Sequence, residues 1–397
     1  MEVIAMKISP ANRRTQTGSG VLLELRKPKT LNALDLDDFV EIERVLDDAE
    51  RDSNVRFLAI WAPLDASPRA FCAGGDVRRL HDEYRRSGTL DHGSRFFQAE
   101  YRVDQRIWNF PKPVIALTHG ITMGGGIGLI RGASIRIACE TSIWAMPEIS
   151  IGLYPDVGAT YFFSRLPETW AAFLALTGAR IGIADTLRLG LATHRCRQED
   201  LPRIIDQLDR LTAESVGALD FRDESILKAV GALLSTESPD TPAPTAAAIR
   251  SWNHDWPAIE SLFGDLALQR NEQAATATAL WQDARQLRDD PSTGPELREA
   301  LDTLLSGSPA SVRLILEQLR ISRAHRGRGL EALPSAFEWE YSASMNCMKH
   351  GDFFEGVRSR LVDKDFREPG RPRWKHRSPE ELDPEEISVL LPGKVPS

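Results

Sequence analysis

Short apolar runs alternate with amphipathic stretches through the first two hundred residues. Val21–Leu25 (VLLEL) is one such run, and the stretch after it, LNALDLDDFVEIERVLDDAERD, places Phe39, Ile42, Leu46 and Ala49 at helical spacing. Phe57–Ala62 (FLAIWA), Val114–Leu117 (VIAL) and Ser134–Cys139 (SIRIAC) read as buried strands. Strands separated by helical stretches predict an α/β architecture around a largely buried sheet. Beyond about Cys196 the period changes. LPRIIDQLDRL, ESILKAVGALL, IESLFGDLAL and SVRLILEQLRI all carry helical spacing, and no strand-like run interrupts them. Ser235–Ala248 (STESPDTPAPTAAA) has the composition of a linker, and GRPRWKHRSPEELDPEEI reads as a charged surface tail with one Trp anchor. The pattern predicts two regions, 1–200 and 201–397, with a linker over about 235–248.

Composition narrows the function classes. The 397 residues carry 49 basic and 57 acidic side chains, a net charge of −8. That balance excludes a duplex nucleic-acid binder, which needs a basic footprint to displace counterions from phosphate. The four scattered cysteines, with no C-x-x-C pair, point to a reducing compartment. Residues 113–130 form an uncharged stretch long enough to imitate a membrane span, but its five glycines and Pro113 predict strand, turn and helix start within a core. No membrane association is expected. The segment KISPANRRTQTGSG is basic and hydroxyl-rich, yet Pro10 and its glycines make a poor amphipathic helix. The expected location is cytoplasmic, or the mitochondrial matrix if the source is eukaryotic.

Several chemistries lose support next. None of the eight histidines lies within five residues of another, so zinc-site spacings are absent and no metal is expected. There is no G-x-x-x-x-G-K-[ST], and GASIR around Ser134 is no nucleophile elbow. Carboxylates and backbone amides remain as catalytic tools.

Two glycine turns each follow a strand. In AFCAGGDVRRL (Ala70–Leu80), consecutive glycines let the chain turn and Asp76 can cap the following helix. In HGITMGGGIGLI (His119–Ile130), three glycines open a helix and leave N–H donors without intrahelical acceptors. The pair reads equally as two tight connections or as an oxyanion hole. WAMPEISIGLYPDVGATYFFSRL (Trp144–Leu166) carries two carboxylates. Pro147 and Glu148 resemble the first helical positions, and Asp156 sits in a P-D-V-G turn, so both have structural readings. A catalytic reading requires both to line an apolar pocket walled by Met146, Ile151, Leu153 and Tyr154, where burial raises a carboxyl pKa.

Together these strings resemble the crotonase (enoyl-CoA hydratase/isomerase) superfamily, and within it the 3-hydroxyisobutyryl-CoA hydrolase branch. The resemblance rests on GITMGGGIGL, SIWAMPEISIGLYPDVGATYFFSRL, FLALTGARIGIADTLRLGLATH and FEWEYSASMNCMKHGDFFEGVRSRLVDKD, in that order. It implies an α/β, crotonase-like spiral of β-β-α units with a helical C-terminal region. It also implies oxyanion-hole amides at Gly75 and Gly125, a catalytic Glu148 and a second acid at Asp156. Glu100, in QAEYRVDQ, matches a substrate-contacting glutamate, although a solvated helix face explains it equally well. Ala73, Asp76 and Gly124 fall at further substrate-binding positions.

One departure from the hydratases changes the expected reaction. They resemble G-G-G-x-E with a second glutamate, whereas this chain has Gly128 there and Asp156 where they usually carry glycine. The resemblance therefore implies hydrolysis of a short β-hydroxyacyl-CoA, a step of valine breakdown, with enoyl-CoA hydration or isomerisation as the alternative. No cofactor is implied, since coenzyme A is part of the substrate. The net charge repels that anion at long range, so a local basic cluster is expected, with Arg26, Lys27, Lys29, Arg78 and Arg79 as candidates. Relatives of this kind often trimerise, which makes a homo-oligomer a possible partner state.

Overall fold

The computed structural model describes residues 12–17, 20–64, 70–209, 252–264, 266 and 273–392. Two compact units divide the chain, and neither follows the linear halves. The first comprises Met1–Gly75, Arg102–Trp144 and Ile181–Ser251, the second Asp76–Tyr101, Ala145–Arg180 and Trp252–Ser397.

The strands among the described residues are, in chain order, β1 (Asn12–Thr17), β2 (Gly20–Leu25), β3 (Phe57–Trp61), β4 (Ala70–Cys72), β5 (Val114–Thr118), β6 (Ile121–Met123), β7 (Ile135–Cys139), β8 (Ile143–Ala145) and β9 (His194–Cys196). Six of them form one sheet of order β1-β2-β3-β5-β7-β9, and β4-β6-β8 form a smaller one. Apart from the antiparallel β1–β2 pair, the large sheet is parallel, with Val21 opposite Leu58, Ala59 opposite Ile115 and Leu117 opposite Ile137. Parallel strands buried on both faces have no solvent side to mark with polar residues, which is why VIAL and FLAIW read as continuous apolar runs. Leu22, Phe57, Ile115, Ile137, Leu201 and Ile204 share one core cluster. Burying each such side chain contributes about 1.5–3 kcal/mol. The spans expected from the pattern match these strands to within a residue or two.

Helix Leu36–Arg51 begins where Asp35 accepts N–H bonds from Asp37 and Asp38, while the Asp38 carboxylate reaches back to the Asp35 amide. That reciprocal capping box occupies two donors that would otherwise lack acceptors. Its buried face, Phe39, Ile42, Val45, Leu46 and Ala49, is the face the spacing predicts. The uncharged stretch 113–130 divides into β5, β6 and the start of a short helix, Gly125–Arg131. Among the described residues, no helix is long and apolar enough to cross a membrane.

The second unit is helical. Its longer helices are Val77–Ser87, the first part of Asp91–Trp108, Glu168–Thr177, Trp256–Phe263, Gln273–Asp289, Pro295–Ser306, Pro309–Ala324 and Leu333–His350. Asp76 caps the first of these by accepting from the Arg79 amide, as its sequence position suggests. Aromatic contacts tie the helices together: Trp170 stacks on Trp256 at 4.6 Å, and Phe173 packs edgewise on Trp252 and Phe263. The charged tail departs from expectation. Trp374 does anchor it, donating Nε1–H to the Ser306 carbonyl, but the tail then forms helix Pro384–Leu390 and buries Leu382, Ile387 and Leu390 against Ala310. Three apolar residues spaced along a mostly charged string are too few to stand out by period alone. The linker expected over 235–248 lies outside the described residues.

Candidate active site

In the first unit the two glycine turns touch backbone to backbone. Gly74 has φ +103°, and a Cβ there would lie 3.0 Å from the Met123 carbonyl and 3.2 Å from the Gly125 nitrogen. A Cβ on Gly126 would lie 2.5 Å from the Cys72 carbonyl oxygen. Glycine is thus required by close approach, and the same approach sets Gly75 and Gly125 in neighbouring turns. Neither of their N–H groups has an acceptor among the described residues. The Ala73 amide donates to Leu31, and the Gly124 carbonyl accepts from Ile127 and Gly128, so these two flanking positions hold the turns in place. Asn32 adds a brace, its side-chain amide donating to the Ala70 and Phe71 carbonyls. Gly126→Ala is expected to cost about 1–3 kcal/mol of stability through overpacking, measured by chemical denaturation.

His119 is buried with its Nε2 2.8 Å from the Ala62 carbonyl. Two of the candidate bases for coenzyme A in this unit are already engaged. Arg26 pairs with Glu24 at 2.7 Å, and Lys27 binds both Asp35 and Asp38.

In the second unit, Pro147 precedes a short 3-10 turn, Glu148–Ile151, so Pro147 is the cap and Glu148 the first turn residue. Glu148 is buried, and its Oε2 has no hydrogen-bond partner among the described residues. Burial first, and the Asp156 carboxylate second, hold its pKa well above the ordinary glutamate value. Asp156 is buried too, and burial lifts it to about 6 against the opposing pull of its Tyr101 partner. The pair therefore shares one environment: two carboxyls raised by desolvation, with Glu148 raised further by its neighbour. Met146, Leu153 and Tyr154, predicted as pocket walls, are all buried in this unit.

The loop carrying Asp156 is strained. Val157 has φ +55°, a left-handed conformation that a β-branched residue rarely adopts, and Gly158 follows at +88°. The restraints come from helices far along the chain. The Glu340 carboxylate accepts N–H bonds from Gly158 at 2.6 Å and Thr160 at 2.7 Å. Gln318 donates to the Pro155 carbonyl and to Thr160 Oγ1. Tyr101, Ser344 and Tyr154 complete a polar network with Asp156.

Glu100, one residue before Tyr101, is 2% exposed, which removes the solvated-face reading. Asp76 Oδ1 serves as the helix cap described above. Tyr101, Gln318, Glu340 and Ser344 were not foreseen as site residues. The signal that could have found the last was the string FEWEYSASMN, polar positions recurring in an otherwise apolar helix. Among the described residues no group of three or more His, Cys, Asp or Glu could hold a metal ion.

The sequence pattern of the enoyl-CoA hydratase/isomerase family matches residues 21–391. A protein named 3-hydroxyisobutyryl-CoA hydrolase, mitochondrial, from Gallus gallus is 34% identical over 370 residues, covering 93% of this chain and 85% of its own. The Homo sapiens protein of the same name is 31% identical, covering 95% and 89%. Among solved structures, an enoyl-CoA hydratase from Rhodobacter sphaeroides superposes with TM-score 0.74 at 31% identity, over 96% of this chain and 97% of that one. A carnitinyl-CoA dehydratase from Mycobacterium thermoresistibile gives 0.75 at 26% identity over 98% of each.

Proposed function

The chain belongs to the enoyl-CoA hydratase/isomerase family, and from that premise we propose that it hydrolyses the thioester of a short β-hydroxyacyl-CoA, with 3-hydroxyisobutyryl-CoA the first candidate. The observation that carries this reading is the buried pair Glu148 and Asp156 in a chain whose Gly128 leaves the hydratases' second glutamate position without a side chain. Addition of water across a C=C bond calls on two acids to manage the water and the α-proton. Thioester hydrolysis needs one carboxylate at the carbonyl and donors for the oxyanion.

In the proposed reaction the Gly75 and Gly125 N–H groups stabilise the thioester oxygen as it gains charge. One such donor is worth about 10²–10³ in rate. Glu148 supplies the reacting carboxylate: it takes a proton from water as that water adds to the carbonyl carbon, or it adds itself to form an acyl anhydride that water then cleaves. In either route the C–S bond breaks and coenzyme A departs as a thiolate, which a proton converts to the thiol. Asp156 holds the substrate hydroxyl or the incoming water. Ala73, Gly124, Asp76 and Glu100 are assigned to substrate contact. The reaction needs no cofactor. Cytoplasm is the proposed location, or the mitochondrial matrix if the source is eukaryotic; the relatives are named as mitochondrial.

Purified protein is expected to release free thiol from 3-hydroxyisobutyryl-CoA, read with a thiol reagent, and to leave the enoyl absorbance of crotonyl-CoA intact. The opposite result would establish the second reading, a hydratase, the activity for which the similar Rhodobacter sphaeroides protein is named. A single turnover in ¹⁸O-water reports on the route: direct attack labels only the product acid, whereas label found in Glu148 establishes an anhydride cleaved at the Glu148 carbonyl. The pH profile is also expected to follow from burial. Glu148 acts as the anion and its pKa is raised, so kcat/KM rises with pH along a limb lying above the ordinary glutamate range.

A further inference from the structure

Three hydroxyl groups connect Asp156 to the backbone of a distant helix. Tyr101 Oη donates to Asp156 Oδ2 at 2.6 Å and lies 2.8 Å from Ser344 Oγ. Ser344 Oγ lies 3.0 Å from Tyr154 Oη, which donates to the Glu340 main-chain carbonyl at 2.5 Å. All five residues are buried.

Proton counting fixes the direction of this chain. The Glu340 carbonyl only accepts, so the Tyr154 proton is committed to it. An ionised Asp156 also only accepts, so the Tyr101 proton is committed to Asp156. The Ser344 proton remains, and its shorter contact is with Tyr101, where donation polarises the phenol toward the carboxylate. If Asp156 takes up a proton, the links from Asp156 through Tyr101 and Ser344 to Tyr154 can turn, and the chain can run from Asp156 to the carbonyl, with Tyr154 donating to it as before. Each protonation state of Asp156 leaves no hydroxyl proton stranded.

Among the described residues, the groups that face Asp156 offer no cation. Glu148 approaches from its 3-10 turn, and Tyr101, with Glu100 beside it, from helix Asp91–Trp108. Tyr154 comes from the same loop, and Glu340 and Cys347 from helix Leu333–His350. What holds the buried carboxyl down is the Tyr101 hydroxyl together with the backbone amide of Asp156 itself.

We propose that Tyr101 and Ser344 are positioning residues that orient Asp156 and keep it ionised through a directional hydrogen-bond chain closed on the Glu340 carbonyl. The proposal rests on the reading of Asp156 as the residue that holds the substrate hydroxyl or the water. It predicts a ranking that mere packing would not produce. Tyr101→Phe removes the donor to Asp156, Ser344→Ala removes only the polarising link, and Tyr154→Phe leaves Ser344 free to serve Tyr101.

The test is the Asp156 titration in protein labelled with [γ-¹³C]aspartate, its resonance identified by loss in Asp156→Asn, alongside pH profiles of thiol release. In Y101F the midpoint is expected to rise by about one pH unit, a tenfold fall in the ratio of ionised to protonated Asp156 at fixed pH. S344A should move it less, and Y154F least. The acid limb of kcat/KM should move in the same order. An unchanged midpoint in folded Y101F overturns the proposal, as does an equal shift in Y154F. If Y101F does not fold, S344A decides alone: an upward shift supports the chain and no shift refutes it. A parent protein that releases no thiol but shows the ranked midpoints would overturn the hydrolase reading and leave the chain standing.

Discussion

Glu148→Gln is expected to lower kcat for thiol release at least ~10²-fold, the ordinary worth of a positioned general base, with little change in folding. The substitution keeps the shape of the side chain and removes only its ability to accept a proton or attack a carbonyl. The local environment favours that outcome. Glu148 is buried in a turn set by Pro147, its Oε2 has no partner among the described residues to lose, and a neutral amide does not repel Asp156. The loss should fall on kcat rather than KM, because the role lies in the reaction and not in holding the acyl group. The rising limb of the pH profile should vanish with it. Steady-state thiol release between pH 5 and 9 reads both effects, and full activity in the Gln variant would remove Glu148 from the mechanism.

The second large effect concerns stability. Glu340→Ala leaves the Gly158 and Thr160 N–H groups without acceptors beneath a loop that already holds Val157 at positive φ. Each buried donor left unsatisfied costs about 1–3 kcal/mol, so a total loss of roughly 2–6 kcal/mol is expected from chemical denaturation. Glu340→Gln sharpens the prediction. Burial raises the folded pKa of Glu340 to about 8, above its ordinary value, so the folded state holds this proton while the unfolded state has released it. Stability from this group is therefore fully present below the ordinary glutamate pKa and is lost as pH rises through about 8. The Gln variant has no such dependence. Its stability relative to the parent should improve steadily from pH 5 to pH 9, and a constant difference would refute the account.

Much of the scaffold was legible because its signals are local. The buried runs Phe57–Trp61 and Val114–Thr118, the helix face through Phe39 and Ile42, and the Asp76 cap each depend on residues a few positions apart. The two glycine turns were legible as turns, and the contacts of Gly74 and Gly126 supply a packing reason for them. Glu148 and Asp156 stood out through family resemblance, whereas their burial is a property of packing that no string carries. The hydroxyl chain was hidden for a related reason. Tyr101, Tyr154 and Ser344 are unremarkable polar residues in sequence, and they become a network only when helix Leu333–His350 is in place. The basic candidates Arg26 and Lys27 show the converse. Charge was visible, but not the acidic neighbours that occupy it.

The bonds from Gly158 and Thr160 to Glu340 span 182 and 180 residues of chain. At a synthesis rate of about 5–20 residues per second, the Asp156 loop leaves the ribosome roughly 10–40 s before the carboxylate that will restrain it. For that interval Asp156 exists without its scaffold, and no order of local folding can shorten the wait. Competence for the reaction is therefore among the last properties the nascent chain acquires, because the final third of the sequence carries the bolt for a loop written before its midpoint.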